Sequence, residues 1–359
     1  MDNMCMKGVT GIMRVKNDAE FVSTSIESCI EALDELVVVY NDCTDNSAEV
    51  IEMMRQKYPS KIKVYEYPYK VFGAGLTQKE YEYAKNLPDD SPALLCNYYN
   101  YALSKVNCDY AMKVDADQIY FSGKLKKCCD LVRNGERLEG NILIGAAFHY
   151  YFLAYRYLCM KLKRRLPIMP NWLAGFAKPH YESYAIDQLR KGTACLSFSG
   201  VNVFYDNGWN VSMGLKNEEM NVLPPFNGET DHLLFKVSDK TYYRRFDMEY
   251  YNMISNSSYS LIEEFVHPYR PMFMGFCWFH MNAMRSRFKK QVLSVKQSNP
   301  EAFERIDTFL KYNYRTVERK ADKRIHSLYQ RVLFSYIYNA DKRSIVSNLD
   351  ILNKNDTDR

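Results

Sequence analysis

The stretch Tyr110-Ala-Met-Lys-Val-Asp-Ala-Asp117 joins a short, mostly apolar run to two aspartates. Residues 110–114 have the composition of a buried strand, so Asp115 and Asp117 are predicted at the end of that strand. Two carboxylates placed there can present oxygens to one hard divalent cation, which neutralises charge on a diphosphate leaving group. Turn and capping carboxylates produce the same spacing, so the surrounding sequence must decide between a metal site and a turn.

An alternation of strands and helices leads up to this stretch. The predicted strands are residues 9–15, 36–40 and 62–67, and the predicted helices begin at residue 17 and cover 48–57 and 94–106. This order is typical of an α/β fold with a mostly parallel sheet. In such sheets the ligand lies outside the carboxyl ends of the strands, so residues 14–17, 41–45 and 115–117 are expected to converge on one crevice.

The second half of the chain gives weaker signals. A helix is predicted at residues 123–134, and residues 193–205 alternate enough for a strand or a hairpin. The apolar run 142–155 is too short to span a membrane, and its aromatic and aliphatic residues favour a buried pair of strands. From about residue 299 onward, charged residues with helical periodicity predict a helical C-terminal extension, residues 299–359.

Composition excludes several classes of protein. The 359 residues carry a net charge of +5 and contain no zinc-finger, helix-turn-helix or RNP-type pattern, so nucleic acid is not an expected partner. The ten cysteines include the adjacent pair Cys128 and Cys129 and form no ligand-like spacing, which indicates reduced thiols and a cytoplasmic location. The first residues lack the pattern of a secretory signal, so none is expected.

One basic cluster is relevant to a membrane. It follows the apolar run and consists of Lys161, Lys163, Arg164 and Arg165. These side chains can contact an anionic surface, which would allow peripheral binding to the inner membrane leaflet. A solvated basic turn has the same pattern and is the plainer interpretation. The oligomeric state stays open at this level.

Four motifs occur in a recognisable order. They are Arg14-Val-Lys-Asn17, Tyr40-Asn-Asp-Cys-Thr-Asp45, Tyr98-Tyr-Asn-Tyr101 and Met112-Lys-Val-Asp-Ala-Asp117. In this order and at this spacing they resemble the bacterial β-1,4-N-acetylgalactosaminyltransferase family of lipooligosaccharide synthesis. The resemblance is clear over residues 10–125 and extends less clearly to about residue 240.

The resemblance implies a fold, a donor and a metal. The fold would be GT-A, a Rossmann-like, mostly parallel α/β sheet, with residues 1–120 as the nucleotide-binding half and 121–298 as the acceptor half of one transferase domain. The donor would be a UDP-sugar held with Mn²⁺ or Mg²⁺, and N-acetylgalactosamine would pass with inversion to a saccharide acceptor on a lipooligosaccharide or another surface glycan.

The resemblance also implies roles for single residues. Arg14 and Asn17 would line the nucleotide pocket, Asn41 and Asp42 would lie near the uracil or ribose, and Asp115 and Asp117 would bind the metal, with Asp115 also facing the donor. One position departs from the broader GT-A pattern, which usually has two acidic residues ending the second strand. This chain has Tyr40 and Asn41 there.

An inverting transferase needs a general base for the acceptor hydroxyl. The polar stretch Asn227-Gly-Glu-Thr-Asp-His232 is the best candidate, with Asp231 preferred over Glu229, although Asp231 also fits a helix cap. His280 is predicted as a third metal ligand, with His267 as the second choice, whereas a histidine among aromatic residues is more often a core residue. Trp278 could stack on an acceptor sugar, but a buried core tryptophan is the favoured interpretation.

Three alternatives remain open. The first is a GT-A transferase with a different UDP-hexose donor, because donor choice depends on a few contacts to the sugar. The second is a nucleotidyltransferase, which would be expected to have a glycine-rich loop after the first strand, whereas Met13-Arg-Val-Lys-Asn-Asp18 contains no glycine. The third is a glycan-binding module without catalytic activity, whose affinity for sugar would not change when a chelator is added.

Overall fold

The computed structural model describes residues 6–167, 169–213, 224–229, 232–252, 257–321 and 327–354. These residues divide into two compact units. The first contains the chain up to Gln118 together with Leu234–Arg270, and the second contains the remaining described residues. Each unit has its own strands and helices.

The strands, in chain order, are β1 (Met6–Val15), β2 (Glu35–Tyr40), β3 (Ile62–Glu66), β4 (Ala74–Leu76), β5 (Cys108–Asp115), β6 (Gln118–Tyr120), β7 (Cys195–Tyr205), β8 (Trp209–Ser212), β9 (His232–Lys236), β10 (Tyr242–Asn252), β11 (Ser257–Val266), β12 (Pro271–His280) and β13 (Phe303–Arg305). The helices are α1 (Val22–Cys29), α2 (Ser47–Lys57), α3 (Gln78–Lys85), α4 (Leu95–Leu103), α5 (Ser122–Asn134), α6 (Ile142–Lys161), α7 (Asn171–Arg190), α8 (Ser286–Ser298), α9 (Ile306–Phe309), α10 (Tyr314–Lys320), α11 (Leu328–Val346) and α12 (Leu349–Lys354).

The main sheet of the first unit is parallel. Its strands run β3-β2-β1-β5, and the last residues of β9 pair antiparallel with β5. Residues Glu35–Val39 of β2 are buried, as expected of a central strand covered on both faces. The register places Val15 opposite Tyr40 and Arg14 opposite Asp115, so three strands end at the same edge of the sheet.

A smaller antiparallel sheet of β10, β11 and β4 completes the first unit. Helix α4 connects it to the chain before β5, because the Asn100 side chain exchanges two hydrogen bonds with the backbone of Tyr243, both 2.8 Å long. Beside this contact the rings of Tyr99 and Tyr243 lie 4.6 Å apart. Helix α4, which contains the motif Tyr98–Tyr101, is therefore tied directly to β10.

The second unit is built on β7 and β12, which are parallel, with β8 and β13 added antiparallel beside β7. Helix α11 packs on β12 through an aromatic core in which Phe226 lies 5.1 Å from Phe334 and 5.5 Å from Tyr338 between ring centroids. Helices α9 to α12 confirm the predicted helical C-terminal region. They also show that it packs into this unit as part of its core.

One predicted element is wrong. Residues 142–155 were expected to be a buried pair of strands, but they belong to the 20-residue helix α6. The buried residues of α6 are Gly145, Phe152, Tyr155 and Cys159, and their spacing of three, four or seven residues matches a helical face. The Asn141 side chain accepts the N–H groups of Leu143 and Ile144 at 2.9 and 3.1 Å, which starts the helix. The composition alone concealed this periodicity, since apolar residues also cover the exposed face.

The predicted class, an α/β fold with a mostly parallel sheet, is confirmed. The predicted strand 193–205 is β7, and the predicted helices 48–57, 94–106 and 123–134 are α2, α4 and α5, each within a few residues. In the part of the chain that the structure describes, no helix combines the length and the apolar character needed to cross a bilayer.

Candidate functional site

The first unit brings the predicted strand ends together. Asp115 is the last residue of β5, and Asp117 follows in the turn before β6. The backbone carbonyl of Asp115 accepts a 2.8 Å hydrogen bond from the Ser25 hydroxyl of α1, which fixes the end of the strand. The Asp115 side chain is partly exposed, whereas Asp117 is buried with 6% exposure. The two carboxylates therefore occupy one short, anchored turn.

The loops after β1 and β2 are joined by side-chain hydrogen bonds. The Asn17 amide donates to the Thr44 hydroxyl at 3.1 Å and its carbonyl oxygen accepts the Thr44 N–H at 2.7 Å. Next to this pair, Lys16 lies 3.2 Å from the carboxylate of Asp42. Asn17 and Asp42 both adopt left-handed backbone conformations, with φ of 57° and 45°. Asparagine and aspartate tolerate this region better than most residues, so the sequence suits these tight loops.

Asn41 has a different environment from the one its predicted role suggested. Its side chain is fully buried, and its amide nitrogen donates to the backbone carbonyls of Tyr67 and Tyr69 at 2.7 and 2.6 Å. The side chain thus holds the segment after β3 in place. Asp42, by contrast, is exposed beside Lys16. Of the two residues predicted near the uracil or ribose, Asp42 is the one whose side chain reaches the surface.

Arg14 lies between aromatic rings and carboxylates. Its guanidinium is 3.3 Å from the ring centroid of Tyr99 and 5.3 Å from that of Tyr98, and it donates a hydrogen bond to the Tyr99 hydroxyl. Burial alone would lower the pKa of Arg14, but the Tyr99 hydroxyl and the carboxylates of Glu263 and Asp115 outweigh it, so the pKa is raised. Arg14 is therefore a permanent cation next to the end of β5.

Two further charged residues complete this cluster, and the sequence motifs did not identify them as site residues. The Lys113 ammonium lies 3.7 Å from the Asp115 carboxylate and 3.9 Å from that of Glu263. We call Arg14, Lys113, Asp115 and Glu263 the charge cluster; it contains two cations and two anions. A lysine within the apolar run of β5 was a usable signal for Lys113. Glu263 lies on β11, far along the chain, and carried no signal of its own.

The two carboxylates Asp115 and Asp117 fit a divalent cation whose remaining ligands come from the phosphates of the nucleotide-sugar. Among the described residues there is no group of three or more His, Cys, Asp or Glu side chains that could hold a metal alone. Mg²⁺ is usually bound by one or two carboxylates plus substrate phosphates, and Asp115 and Asp117 supply that number of oxygen ligands. The Lys113 ammonium beside Asp115 orients its carboxylate.

The second unit contains a polar cluster at the ends of β7 and β12. His280 pairs with Asn202 in the strand register, and its Nδ1 atom lies 2.7 Å from the Asn202 side-chain oxygen and 3.0 Å from the Asn227 amide nitrogen. The short contact to a carbonyl oxygen favours the tautomer with the proton on Nδ1. Such a hydrogen bond orients a ligating histidine and equally a structural one, so the metal role of His280 stays a prediction.

No sequence signal marked Asn202, and no role was predicted for Asn227 at the start of the stretch that contains Glu229 and Asp231. The Asn202 amide donates to the Pro224 carbonyl at 2.7 Å, and the Asn227 backbone N–H donates to Gly200 at 3.0 Å. These bonds fix the segment 224–227 on β7, immediately before the partly exposed Glu229. Asp231, the preferred general base, lies outside the described residues.

Trp278 is a core side chain, whereas His267 is half-buried. Trp278 is fully buried, and its indole lies so close to Gly200 that a Cβ there would be 1.9 Å from the indole nitrogen. This confirms the favoured interpretation of a core tryptophan over a sugar-stacking one. His267 in the first unit lies 2.9 Å from the Thr241 hydroxyl, and burial lowers the pKa of its imidazole.

Comparisons with solved structures gave short, weak matches. The chain is similar to glucosyl-3-phosphoglycerate synthase from Mycobacterium tuberculosis in complex with Mn²⁺, UDP-glucose and glycerol 3-phosphate, with 16% identity, coverage of 31% of this chain and 34% of that chain, and a TM-score of 0.21. The same enzyme with Mg²⁺ and UDP gives 14% identity, the same coverage and a TM-score of 0.19. A mycobacterial protein gives 14% identity, 31% of each chain and a TM-score of 0.20. The match thus spans about a third of the length of these structures.

A comparison with curated proteins gave no match. A family model, however, matches residues 6–158, less than half of the 359-residue chain, and its description is Beta-1,4-N-acetylgalactosaminyltransferase (CgtA). This range contains all four motifs, the strand ends and the two aspartates. The mostly parallel sheet and the helical C-terminal region agree with the GT-A class that the resemblance implied. The resemblance is thereby confirmed over residues 6–158, which match the model of the beta-1,4-N-acetylgalactosaminyltransferase (CgtA) family.

Proposed function

We propose that this protein transfers N-acetylgalactosamine from its UDP-sugar to a saccharide acceptor on a lipooligosaccharide or another surface glycan, with inversion to a β linkage. The observation that carries the proposal is the turn after β5, where Asp115 and Asp117 follow a parallel strand whose neighbours β1 and β2 end at the same edge. The family match over the same residues supports the reaction class and the donor.

The candidate site residues of the first unit have distinct roles in this proposal. Asp115 and Asp117 would hold Mn²⁺ or Mg²⁺, which when bound acts as a Lewis acid on the diphosphate. Lys113 and Arg14 are the cations beside Asp115 and would orient its carboxylate. Asn17 and Asp42, on the joined loops, would contact the nucleotide, and Asn41 would support them through the segment after β3.

The donor is tested with a panel of UDP-sugars. With Mn²⁺ present, we expect UDP release to be fastest with UDP-N-acetylgalactosamine and to stop when a chelator is added. A site that hydrogen-bonds the 2-acetamido group and the axial 4-hydroxyl discriminates against sugars that lack either group. A faster reaction with UDP-glucose or UDP-galactose would leave the transferase assignment intact and reject the donor. Consumption of UTP with a sugar phosphate would instead indicate a nucleotidyltransferase.

We propose Asp231 as the general base that takes the proton of the acceptor hydroxyl. Asp231→Asn should lower kcat by about 10²–10⁴-fold, because a positioned base contributes about that much. Glu229→Gln is the matched control two residues away and should retain most activity. Equal affinity of both variants for UDP would show that the loss is in the acceptor step. If Glu229→Gln has the larger effect, the base is Glu229 and the preference stated here is wrong.

A further inference from the structure

Helices α6 and α7 of the second unit form an antiparallel hairpin with a large exposed apolar face. They pack closely at Gly145, where a Cβ would lie 2.1 Å from the His180 carbonyl oxygen. On the other side of α6, apolar residues recur every three or four positions and face solvent: Leu143, Ala147, Tyr150, Ala154, Tyr157 and Leu158. Leu143 is 81% exposed and Tyr157 is 64% exposed. An amphipathic helix normally turns such a stripe toward the core.

Helix α7 extends the same face. Trp172 is 74% exposed and Phe176 is 52% exposed, and the Phe176 ring lies 6.2 Å from that of Phe148 in α6, which connects the apolar residues of the two helices. We call this surface the hairpin face. Its composition is aromatic and aliphatic, with tryptophan and tyrosine, which are enriched where proteins meet the lipid–water boundary.

The charged side chains of residues 140–181 all have the same sign. Residues 140–181 contain no aspartate or glutamate, and they include six lysines and arginines. Three of these cations have partners elsewhere in the unit: Arg156 donates to Tyr329 at 2.7 Å, Arg165 to Glu318 at 3.1 Å, and Lys178 lies 2.7 Å from Glu182. Lys161, Lys163 and Arg164 are exposed at the end of α6, and within the described ranges they form no ion pair.

We propose that the hairpin face docks on a bilayer that contains anionic phospholipid, with the apolar residues of α6 and α7 at the headgroup boundary and Lys161, Lys163 and Arg164 on the lipid headgroups. Helices that combine an apolar, aromatic face with basic residues lie in this way in the plane of a membrane. The other candidate occupant is a second copy of this chain. A symmetric dimer places the same patch on both subunits, and two patches without acidic residues offer no complementary charge. The anionic surface is the occupant that fits.

The test is sedimentation of the full chain with vesicles. We expect the protein to pellet with phosphatidylcholine vesicles that contain about one-third phosphatidylglycerol, and the binding should weaken as salt rises. Replacing Lys161, Lys163 and Arg164 together by Gln should weaken this binding roughly 100-fold, since each cation near an anionic surface contributes about fivefold. The combined Leu143→Ser and Trp172→Ser change should weaken it at least about tenfold.

Matched controls lie outside the hairpin face. Replacing the exposed Lys289, Lys290 and Lys311 by Gln removes the same charge, and Met53→Ser with Tyr83→Ser removes exposed apolar area, so both variants should bind like the wild type. All variants should unfold at the wild-type temperature and release UDP normally in solution. The proposal is overturned if the wild type stays in the supernatant, if the hairpin variants bind as it does, or if they only convert a dimer to a monomer.

Discussion

Asp117→Asn should reduce sugar transfer by at least about 10³-fold, the largest effect on activity that we expect from a single substitution. Asparagine keeps the shape of the side chain and removes the charged oxygen. A bound cation supplies several kcal/mol of stabilisation to the leaving diphosphate, and each 1.36 kcal/mol corresponds to about a factor of ten in rate. Because Asp117 is buried, Asn is preferable to Ala, which would also leave a cavity. The measurement is UDP release from the best donor with Mn²⁺.

The control for this substitution is on the same strand. Asp109→Asn changes an aspartate near the opposite end of β5 and should leave turnover close to that of the wild type. Thermal unfolding of Asp117→Asn without ligand should match the wild type within a few degrees, whereas the stabilisation by UDP with Mn²⁺ should disappear. Near-normal turnover by Asp117→Asn would show that the metal site has been assigned to the wrong carboxylate.

Asp341→Ala should lower the free energy of unfolding by about 3–5 kcal/mol, the largest effect on stability that we expect. Asp341 lies in α11 and is almost fully buried. Its carboxylate accepts the Phe276 N–H at 2.7 Å and lies 2.8 Å from the Lys124 ammonium and 3.3 Å from that of Lys178. Burial would lower the pKa of Lys178, but Glu182 and Asp341 outweigh it and the pKa is raised. Removing Asp341 leaves those cations without their shared carboxylate.

Chemical denaturation of the ligand-free protein measures this loss. Glu139→Gln is the matched control, since Glu139 pairs with Lys127 at 2.9 Å on the exposed surface and should contribute no more than about 1 kcal/mol. Asp341→Asn separates charge from shape and should fall between the two. A loss below about 1 kcal/mol for Asp341→Ala would mean that water or neighbouring side chains replace the carboxylate.

The sequence predicted the elements whose pattern is local. The run Leu36–Tyr40 is apolar throughout, as expected of a strand covered on both faces, and the strand ends at Tyr40 and Asp115 follow from the same alternation of strands and helices. The prediction for α6 failed because the exposed face of this helix is as apolar as its buried face, so the composition concealed the helical periodicity. The membrane proposal rests on that same property.

Contacts between distant parts of the chain were beyond prediction. Glu263 reaches Lys113 from a strand that follows about 150 residues later, and no local pattern marks it as a partner. Asn41 was placed near the nucleotide from its position after β2, but its amide turns inward to the carbonyls of Tyr67 and Tyr69. A side chain at the end of a strand can face either way, and only the neighbouring backbone decides which.

The indole of Trp278 fills the space that a methyl group at position 200 would need. As long as tryptophan occupies position 278, any side chain at position 200 would collide with the indole, so this position requires glycine. A smaller residue at 278 would lift that restriction, at the cost of a hole beside Asn227, whose oxygen accepts the indole N–H at 3.3 Å. Substitutions at positions 200 and 278 are therefore expected to occur together.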